Sequence, residues 1–345
     1  MILTFKVSDR LLVLAPHPDD ESLATGGLIQ RAKEVGARVR VIFATNGDNN
    51  PWPQRWVEKR WQIGANERRR WGALRRREAR KALQQLGLAE KPCFLNLPDQ
   101  GITGKLLEAL PEPVERLCRE IEEWQPTCLV IPSPNDQHPD HNALYVLIQI
   151  ALERMGRTDL RQIQFLVHCR RPDWVPHLRE LLLTEPERLT KRLAIRCHAT
   201  QMVLSRKRFL SYARTVENYY GPVLVEPVLE HHPLGEAWVA AGALNLHGVI
   251  PAPWRSRGSI LIAGESPEGG SLRWQLKLPA ASQKVRLRDA STGELLRYAT
   301  VRITGKFMQI KIPLSLFQPL SRLFVKLDRR NVFLDTAGWR EVPVF

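Results

Sequence analysis

Two short segments of the chain combine histidine, aspartate and proline in a pattern that could hold a metal ion. The first is Pro16-His-Pro-Asp-Asp-Glu21, and the second is Asn135-Asp-Gln-His-Pro-Asp-His-Asn142. Each contains His-Pro-Asp, and proline is favoured at the first position of a helix, so each should open a helix with its histidine at the cap. Helix capping alone explains acidic residues in a first turn. Capping does not explain why three histidines join these acidic residues at two matched segments. The two segments together therefore favour a metal site.

The donor atoms at these segments suit a catalytic zinc ion. His17, Asp20 and His141 supply two imidazoles and one carboxylate. A catalytic zinc site usually has three protein ligands and an open position for water, and it accepts such a mixed set of nitrogen and oxygen donors. Fe²⁺ could use the same ligands. Asp19 and His138 would then remain beside the ion without binding it.

Acid–base groups beside such an ion would complete a hydrolytic site. A metal ion lowers the pKa of a coordinated water towards 7, and a neighbouring carboxylate such as Asp19 can take the proton. His138 could stabilise the oxyanion of a tetrahedral intermediate. Asp140 could orient an imidazole ring and raise its basicity. The pattern therefore indicates metal-assisted hydrolysis.

Short apolar runs in the first two thirds of the chain predict the strands that position these segments. The runs lack strict alternation, as parallel strands do when both faces are covered, and helical patterns lie between them. The predicted strands are residues 11–15, 39–44, 92–95, 127–132, 163–167 and 193–197, and the predicted helices are residues 22–35, 73–86, 106–124, 142–155 and 201–215. Both His-Pro-Asp segments then follow carboxyl ends of strands, where open α/β sheets bind ligands. The predicted fold class is α/β, with a Rossmann-like layered domain and a mostly parallel sheet.

The pattern changes near residue 225, where prolines interrupt a polar stretch containing His231 and His232. Beyond residue 242, segments of alternating apolar and polar residues are separated by turn residues, which is typical of half-buried strands. The predicted organisation is a catalytic domain at residues 1–225, a linker at 226–241 and a smaller all-β domain, expected to be a sandwich, at 242–345. We expect His231 and His232 to lie in a solvated loop.

The motif pair Pro-His-Pro-Asp-Asp-Glu and His-Pro-Asp-His resembles the LmbE-like, or PIG-L, family of metal-dependent N-acetylglucosaminyl deacetylases. The resemblance covers about residues 10–220. Members of that family are Rossmann-like zinc enzymes that remove acetyl groups from amino-sugar conjugates. By this resemblance His17, Asp20 and His141 match the zinc ligands.

The resemblance also implies roles for residues around the ligands. Asp19 matches the general base, and His138 matches the residue that stabilises the intermediate. Arg75 and Asp99 match positions that hold the sugar or its aglycone. The implied activity is removal of an N-acetyl group from an N-acetylglucosamine-type conjugate, which could be phosphorylated, lipid-linked or part of an envelope glycan. An amidase acting on another sugar or thiol conjugate is the alternative within this class.

A basic, tryptophan-rich insert follows the second predicted strand. Trp52, Trp56, Trp61 and Trp71 fall within twenty residues, and residues 52–82 contain eleven Lys or Arg and three acidic residues. Tryptophan faces can stack on sugars and arginines can bind phosphates, so Trp52 and Trp56 are candidate substrate-binding residues in a lid. A solvated amphipathic helix with buried tryptophans and peripheral contact with an anionic membrane are the alternatives.

The composition limits the classes of partner and compartment. The formal charge is +15, which favours anionic partners, and a non-catalytic protein that binds anionic glycan or nucleic acid is the alternative from another class. Nucleic acid is the less favoured partner, because zinc-finger and RNP signatures are absent from the sequence. An odd set of five cysteines in apolar contexts, without a signal-peptide pattern, predicts reduced core thiols and a cytoplasmic protein, which could contact the inner face of the membrane. The oligomeric state is left open.

Overall fold

The structure is a computed structural model of the chain. It describes residues 3–168, 179–222, 225–226, 228–250, 258–266, 268, 270–314, 320–329 and 338–344. Cys169, one of the five cysteines that were predicted to be reduced core thiols, lies outside these ranges.

Five parallel strands and the helices that alternate with them along the chain confirm the predicted α/β part. The strands are β1 (Arg10–Ala15), β2 (Arg38–Thr45), β3 (Cys93–Leu97), β4 (Cys128–Pro132) and β5 (Arg161–Phe165). The helices are α1 (Asp20–Glu34), α2 (Pro51–Glu58), α3 (Ala65–Gln85), α4 (Ile102–Glu108), α5 (Pro111–Trp124), α6 (Pro139–Arg154), α7 (Glu185–Cys197) and α8 (Ala199–Leu210). A separate antiparallel pair consists of β6 (Arg179–Leu182) and β7 (Val216–Tyr219).

The order of the parallel sheet, β3-β2-β1-β4-β5, places a topological switch point between β1 and β4. These neighbours pair in parallel, with Leu11 opposite Cys128 and Val13 opposite Val130. Both strands are apolar and almost fully buried, as strands covered on two faces should be. Ligands of open α/β sheets bind outside the carboxyl ends of strands at a switch point. Because β1 and β4 are parallel neighbours, both His-Pro-Asp segments begin at the same edge of the sheet.

Residues 193–197 were predicted as a strand, and this prediction is wrong because they form the last turns of α7. The helix begins with a capping box at Thr184, whose backbone N–H donates 2.7 Å to Glu187 Oε2. Buried positions at Lys191, Ala194 and Ile195 follow helical spacing. The apolar run is one face of a helix whose start signal lies nine residues upstream.

The helix predicted at residues 106–124 is two helices, α4 and α5. Pro111 is the first residue of α5, where its missing N–H costs nothing and its ring would clash with a continuing helix. The remaining predicted helices of this part are present with shifted ends.

The C-terminal third is a nine-stranded antiparallel sheet, which confirms the all-β prediction. Its strands are β8 (Glu236–Ala240), β9 (Ala243–Val249), β10 (Gly258–Glu265), β11 (Ser271–Lys277), β12 (Gln283–Asp289), β13 (Leu295–Thr304), β14 (Phe307–Pro313), β15 (Arg322–Arg329) and β16 (Arg340–Glu341). They form one sheet in the order β16-β15-β10-β11-β12-β13-β14-β9-β8, where a two-sheet sandwich was expected. One cluster of buried side chains joins strands from across this order. A long twisted sheet can bury one face in this way by curling.

The chain divides into two compact units that are not continuous in sequence. One contains Met1–Ile102, Arg119–Asp136 and Asp159–Val223, and the other contains Thr103–Cys118, Gln137–Thr158 and Leu224–Phe345. Within the second unit, α6 packs against β10 and β15. The predicted boundaries at residues 225 and 242 stay a prediction.

Four cysteines in the described part of the chain are free thiols. Cys128 is buried, and burial raises the pKa of its thiol to about 12, as the prediction of a reduced core residue requires. Cys93, Cys118 and Cys197 are only half-buried, so the prediction of burial does not hold for them. None of the described helices combines the length and the apolar character that a membrane span requires.

His232 was expected in a solvated loop, and the structure corrects this. Its Nδ1 accepts a 3.0 Å hydrogen bond from the Leu234 N–H, and its Nε2 lies 3.1 Å from the Gly338 carbonyl oxygen. The ring is therefore neutral, with its hydrogen on Nε2, and it connects two turns of the antiparallel unit. Burial lowers the pKa of His232 to about 4. The neighbouring His231 is exposed, as expected.

The lowered pKa of His232 predicts a loss of stability on acidification. Unfolded histidine has a pKa of about 6.5, so between about pH 6.5 and pH 4 the unfolded chain takes up a proton that the folded chain does not. We expect the free energy of unfolding to fall from this residue by up to about 1.4 kcal/mol per pH unit. His232→Asn keeps an acceptor for the Leu234 N–H but does not titrate. Urea denaturation at pH 7.5, 6 and 5 should therefore show the stability gap between wild type and H232N narrowing as the pH falls. His231→Asn is the matched control, and equal pH dependence of wild type and H232N would contradict the assignment.

Candidate active site

The loop between β1 and α1 contains a strained backbone at Asp19. Its φ is 144°, a conformation that residues with a side chain adopt at a cost of about 1–3 kcal/mol. Asp19 is the N-cap of α1 and the helix begins at Asp20, so the prediction that His17 caps this helix is wrong. The Glu21 carboxylate stabilises the conformation, because its Oε2 accepts a 2.9 Å hydrogen bond from the Asp19 N–H.

Glu21 is itself fixed by a buried ion pair that the sequence analysis did not predict. His198 Nε2 lies 2.9 Å from Glu21 Oε1, and Ser22 Oγ donates to the same oxygen over 2.7 Å. Burial lowers the pKa of His198, but the charge and hydrogen bond of Glu21 outweigh burial and raise it overall. His198 is therefore a structural residue, and its contact reaches the loop that carries Asp19.

Arg75 holds the Asp19 carboxylate from the other side. Its side chain is buried, with Nη2 2.9 Å from Asp19 Oδ2 and 2.6 Å from the Pro18 carbonyl oxygen, and with Nη1 2.7 Å from the Gly47 carbonyl oxygen. Burial raises the pKa of Asp19 to about 6, against the lowering effect of the Arg75 charge. The sequence resemblance gave Arg75 a role in holding substrate. In the structure it positions the predicted base, and a role towards substrate stays a prediction.

His17 lies between two carboxylates. Its Nδ1 is 3.3 Å from Asp20 Oδ2, and its Nε2 is 3.2 Å from Asp99 Oδ1. The Asn49 N–H donates to the other oxygen of Asp99 over 2.6 Å. Burial of Asp99 favours its neutral form, but the His17 hydrogen bond, the charges of His17 and Arg75 and the Asn49 hydrogen bond outweigh burial and lower its pKa. A carboxylate beside each ring nitrogen fixes the orientation of this imidazole.

The second His-Pro-Asp segment opens α6 as the sequence predicts. His138 is the N-cap and Pro139 is the first helical residue. The Asp140 N–H donates to His138 Nδ1 over 3.2 Å. His141 lies one turn into the helix, with its ring centroid 5.1 Å from that of His138. Because Nδ1 of His138 is an acceptor, a neutral ring carries its hydrogen on Nε2 and can donate from that atom.

Three groups of buried or half-buried side chains in the described residues bring one donor atom each within 4.8 Å of one another. The groups are His17 with His138 and His141, Asp20 with His141 and His168, and His17 with Asp99 and Asp140. The predicted ligands His17, Asp20 and His141 do not form one of these groups, but each pair of them is close. A His/Asp cluster that could bind a metal is therefore present.

His168 and Asp136 are residues at this sheet edge whose placement the sequence analysis missed. His168 belongs to one of the candidate ligand groups. Asp136 Oδ2 accepts hydrogen bonds from the Val167 and His168 N–H groups over 2.7 and 3.2 Å, which joins the loop after β4 to the end of β5. Both residues follow carboxyl ends of strands, where open α/β sheets bind ligands, and this position in the sequence could have identified them.

The tryptophan-rich insert divides into a buried and an exposed part. Trp71 on α3 is fully buried, which agrees with the amphipathic-helix alternative for that residue. Trp52 and Trp56 on α2 are 60% and 68% exposed, and Trp61 after α2 is 77% exposed. The Arg55 guanidinium stacks over Trp52 and Trp61 at 5.0 and 5.2 Å from the ring centroids. The exposed rings form a basic aromatic surface that no packing within the described residues explains.

The contact of Arg75 with Gly47 gives a test of how tightly the Asp19 carboxylate is held. A Cβ at position 47 would lie 1.9 Å from Arg75 Nη1, and φ at this residue is +62°. Gly87 has a similar φ of +84° with nothing within 4 Å of its Cβ position, so Gly87→Ala is a matched control for backbone strain alone. We expect Gly87→Ala to cost about 1 kcal/mol of unfolding free energy. Gly47→Ala should cost at least about 2 kcal/mol more, because it displaces a buried charge from its partners. Equal losses in urea denaturation would show that Arg75 can move at little cost.

Known proteins are similar to this chain in sequence or in fold. A deacetylase of Rhodococcus jostii that acts on 1D-myo-inositol 2-acetamido-2-deoxy-α-D-glucopyranoside is 32% identical over 163 residues, covering 43% of this chain and 54% of that protein. Its namesake from Mycobacterium avium is 34% identical over 147 residues, covering 38% of this chain and 47% of that protein. The chain thus spans about half the length of these curated relatives. A solved structure, the A40926 pseudoaglycone deacetylase Dbv21, has 22% identity and a TM-score of 0.48 over 62% of this chain and 96% of its own.

A family model described as PIG-L, GlcNAc-PI de-N-acetylase, matches residues 12–152. The match contains both His-Pro-Asp segments, Arg75 and Asp99. This match over residues 12–152 agrees with the family that the two motifs resemble.

Proposed function

We propose that this protein is a metal-dependent hydrolase that removes an N-acetyl group from an N-acetylglucosamine-type conjugate. The PIG-L match and the deacetylase relatives support this activity. The observation that carries the proposal is a buried carboxylate, Asp19, held next to candidate metal ligands by Arg75 and Glu21.

In this proposal His17, Asp20 and His141 hold one divalent ion. The donor set fits Zn²⁺, because two imidazoles and a carboxylate are a known catalytic combination, and Fe²⁺ could use it as well. Asp99 and Asp140 each offer an oxygen near a nitrogen of His17 and would orient its ring. The ion would supply Lewis acidity, which lowers the pKa of a water and polarises the amide carbonyl.

Asp19 accepts the proton of the attacking water. Arg75 stabilises the ionised carboxylate and leaves the other oxygen available, since its contact is with Oδ2. The buried pair also keeps the side chain in one rotamer, and a base acts only when it is within hydrogen-bond reach of the proton. Arg75 is therefore a positioning residue in this mechanism.

His138 stabilises negative charge on the amide oxygen. Its Nδ1 is used by the Asp140 N–H, so Nε2–H is the atom that can donate to the developing oxyanion. The water oxygen bonds to the carbonyl carbon, the carbon–nitrogen bond breaks, and the amine leaves with the proton that Asp19 received. The products are a free amino sugar and acetate.

The exposed surface of α2 is the proposed contact for the remainder of the conjugate. Trp52 lies three residues after Asn49, whose N–H binds Asp99, so the start of α2 is fixed to the same loop as the candidate site. Exposed indole faces bind sugar rings, and Arg55 beside them can bind a phosphate or carboxylate. The proposed partner is therefore an amino-sugar small molecule or glycan with an acidic or phosphorylated aglycone.

Asp19→Asn tests the base and Asp20→Asn tests the ligand set. We expect D19N to keep the metal content of the wild type and to release acetate at least about 100-fold more slowly, because an amide cannot take the proton of the attacking water. The substitution should also lower the free energy of unfolding, since the buried Arg75 loses its ionic partner. D20N should lose both metal and activity. Acetate release from 1D-myo-inositol 2-acetamido-2-deoxy-α-D-glucopyranoside and elemental analysis of both variants measure this, and chelator should abolish the wild-type activity.

The variants also distinguish a wrong role for Asp19 from a wrong substrate specificity. If D19N retains full turnover, Asp19 is not the base. If D19N loses the metal, its assigned role is wrong. If the wild type holds metal but cleaves only other amides, the acetyl-sugar specificity is wrong while the hydrolase remains.

A second experiment tests the substrate surface of α2. The double variant Trp52→Ala with Trp56→Ala should raise KM at least about tenfold and leave kcat within about threefold, because these rings contact the substrate away from the reacting bond. Leu189→Ala removes an exposed apolar side chain of α7, outside this surface, and is the control. If the double variant keeps the wild-type KM but no longer binds anionic vesicles, these rings do not contact the substrate. That result would favour peripheral contact with a membrane.

A further inference from the structure

Strands β11 to β14 present a strongly basic face to solvent, which the proposed active site does not use. Side chains alternate along a strand, and on β12 the exposed positions are Lys284, Arg286 and Arg288, while Val285 and Leu287 point to the other side. The pattern continues on neighbouring strands with further exposed polar side chains. We call this surface the basic face; it comprises Lys277, Lys284, Arg286, Arg288, Tyr298, Thr300, Arg302 and Lys311.

The pairing of the strands brings these residues together across the sheet. Lys284 lies opposite Thr300, and Thr300 lies opposite Lys311. Arg286 lies opposite Tyr298. Adjacent strands are about 4.8 Å apart, so the two lysines stand about 10 Å from each other in one transverse row. The charges therefore form a regular array rather than isolated surface residues.

Acidic side chains do not neutralise the array. The four strands are described in full and contain eight Lys or Arg and a single acidic residue, Asp289. The Asp289 carboxylate accepts hydrogen bonds from the Ser291 and Thr292 N–H groups over 2.8 and 2.9 Å, so the adjacent turn uses it. Among the described residues, Lys277, Lys284 and Arg286 form no ion pair.

A groove of about 430 Å³ opens where β11 and β12 separate. The two strands pair at only three positions, from Trp274 opposite Asp289 to Leu276 opposite Leu287. Beyond them the groove is lined by Lys277, Lys284, Arg286 and Arg288, with Leu278 and Val285 among the apolar residues. Four like charges around one groove repel each other, and an anionic partner would relieve that repulsion.

We propose that the basic face binds an extended anionic glycan, with one negatively charged sugar in the groove between β11 and β12. An elongated array suits a chain of charged sugars better than a single small anion. Apolar lining and the half-exposed ring of Tyr298 suit the faces of sugar rings. Single-stranded nucleic acid is less favoured, because it requires successive stacking aromatics. The exposed aromatic residues on this side of β13 and β14 are Tyr298 and Phe307, and Phe307 lies opposite Thr304, about 20 Å along the strand from Tyr298. The inference does not depend on the deacetylase activity.

Binding of a charged oligosaccharide to the whole chain of 345 residues tests the proposal. The probe is an octasaccharide that alternates glucuronate with N-acetylglucosamine, and the neutral N-acetylglucosamine hexamer is its uncharged counterpart. We expect the charged probe to bind and its affinity to fall steeply with salt, as ion-pairing predicts. Lys284→Ser with Arg286→Ser should weaken binding at least tenfold at 50 mM salt and flatten the salt dependence.

Lys33→Ser with Arg206→Ser is the matched control, since it removes two exposed charges from α1 and α8. The proposal requires this control to bind like the wild type, and it requires both double variants to keep wild-type acetate release. Equal weakening by the two double variants would mean that net charge alone attracts the probe. Binding of the neutral hexamer with equal affinity, or tighter binding of a thymidine 15-mer through the same lysine and arginine, would overturn the assignment to an anionic glycan.

Discussion

Arg75 and Asp19 form a buried ion pair of 2.9 Å, and the proposed chemistry depends on it. Asp19 lies in a backbone conformation that is unfavourable for any residue with a side chain. Two contacts offset that cost. Glu21 accepts the Asp19 N–H, and Arg75 donates to its carboxylate and to the carbonyl oxygen of the preceding proline. Breaking one partner of a buried pair leaves an uncompensated charge, so this loop is stable in one arrangement only.

The sheet order explains why the two His-Pro-Asp segments start at one edge of the sheet although they are distant in sequence. β1 and β4 are neighbours at the switch point, and the two His-Pro-Asp segments follow their carboxyl ends. Each segment contains the N-cap residue of a helix, but the two caps differ. His138 caps α6 through its side chain, whereas Asp19 caps α1 without a side-chain hydrogen bond, so its carboxylate is available to Arg75. The same motif therefore gives one segment a hydrogen-bond donor and the other a base.

The sequence predicted much of the parallel sheet and the residues of the candidate site, because strand runs and His-Pro-Asp motifs are local patterns. It did not predict what depends on distant partners. Residues 193–197 have the composition of a strand, and only the Thr184 capping box shows that they belong to a helix. The start of α1 could not be placed from Pro18, since the contacts that stabilise Asp19 come from Glu21 and from Arg75, 56 residues away. His232 looked like a loop residue because its partner Gly338 lies 106 residues further on.

The antiparallel sheet also depends on pairing between segments that are distant in sequence, which local patterns do not reveal. The alternation of apolar and polar residues predicted its individual strands. The same alternation is found when the apolar face packs against a second sheet, as in a sandwich, and when it is enclosed by a single curled sheet. The long-range pairing of β10 with β15 joins strands that are separated by more than fifty residues, and this pairing makes one sheet of nine strands.

In the proposed mechanism, His17, Asp20 and His141 hold one divalent ion beside Asp19. Anomalous scattering from crystals grown in a metal-replete medium, with elemental analysis of the same preparation, tests it most directly. We expect one ion per chain, with two imidazole nitrogens and one carboxylate oxygen about 2.0–2.2 Å from it. The absence of an anomalous peak at these residues, or a peak bound by a different set of side chains, would contradict it.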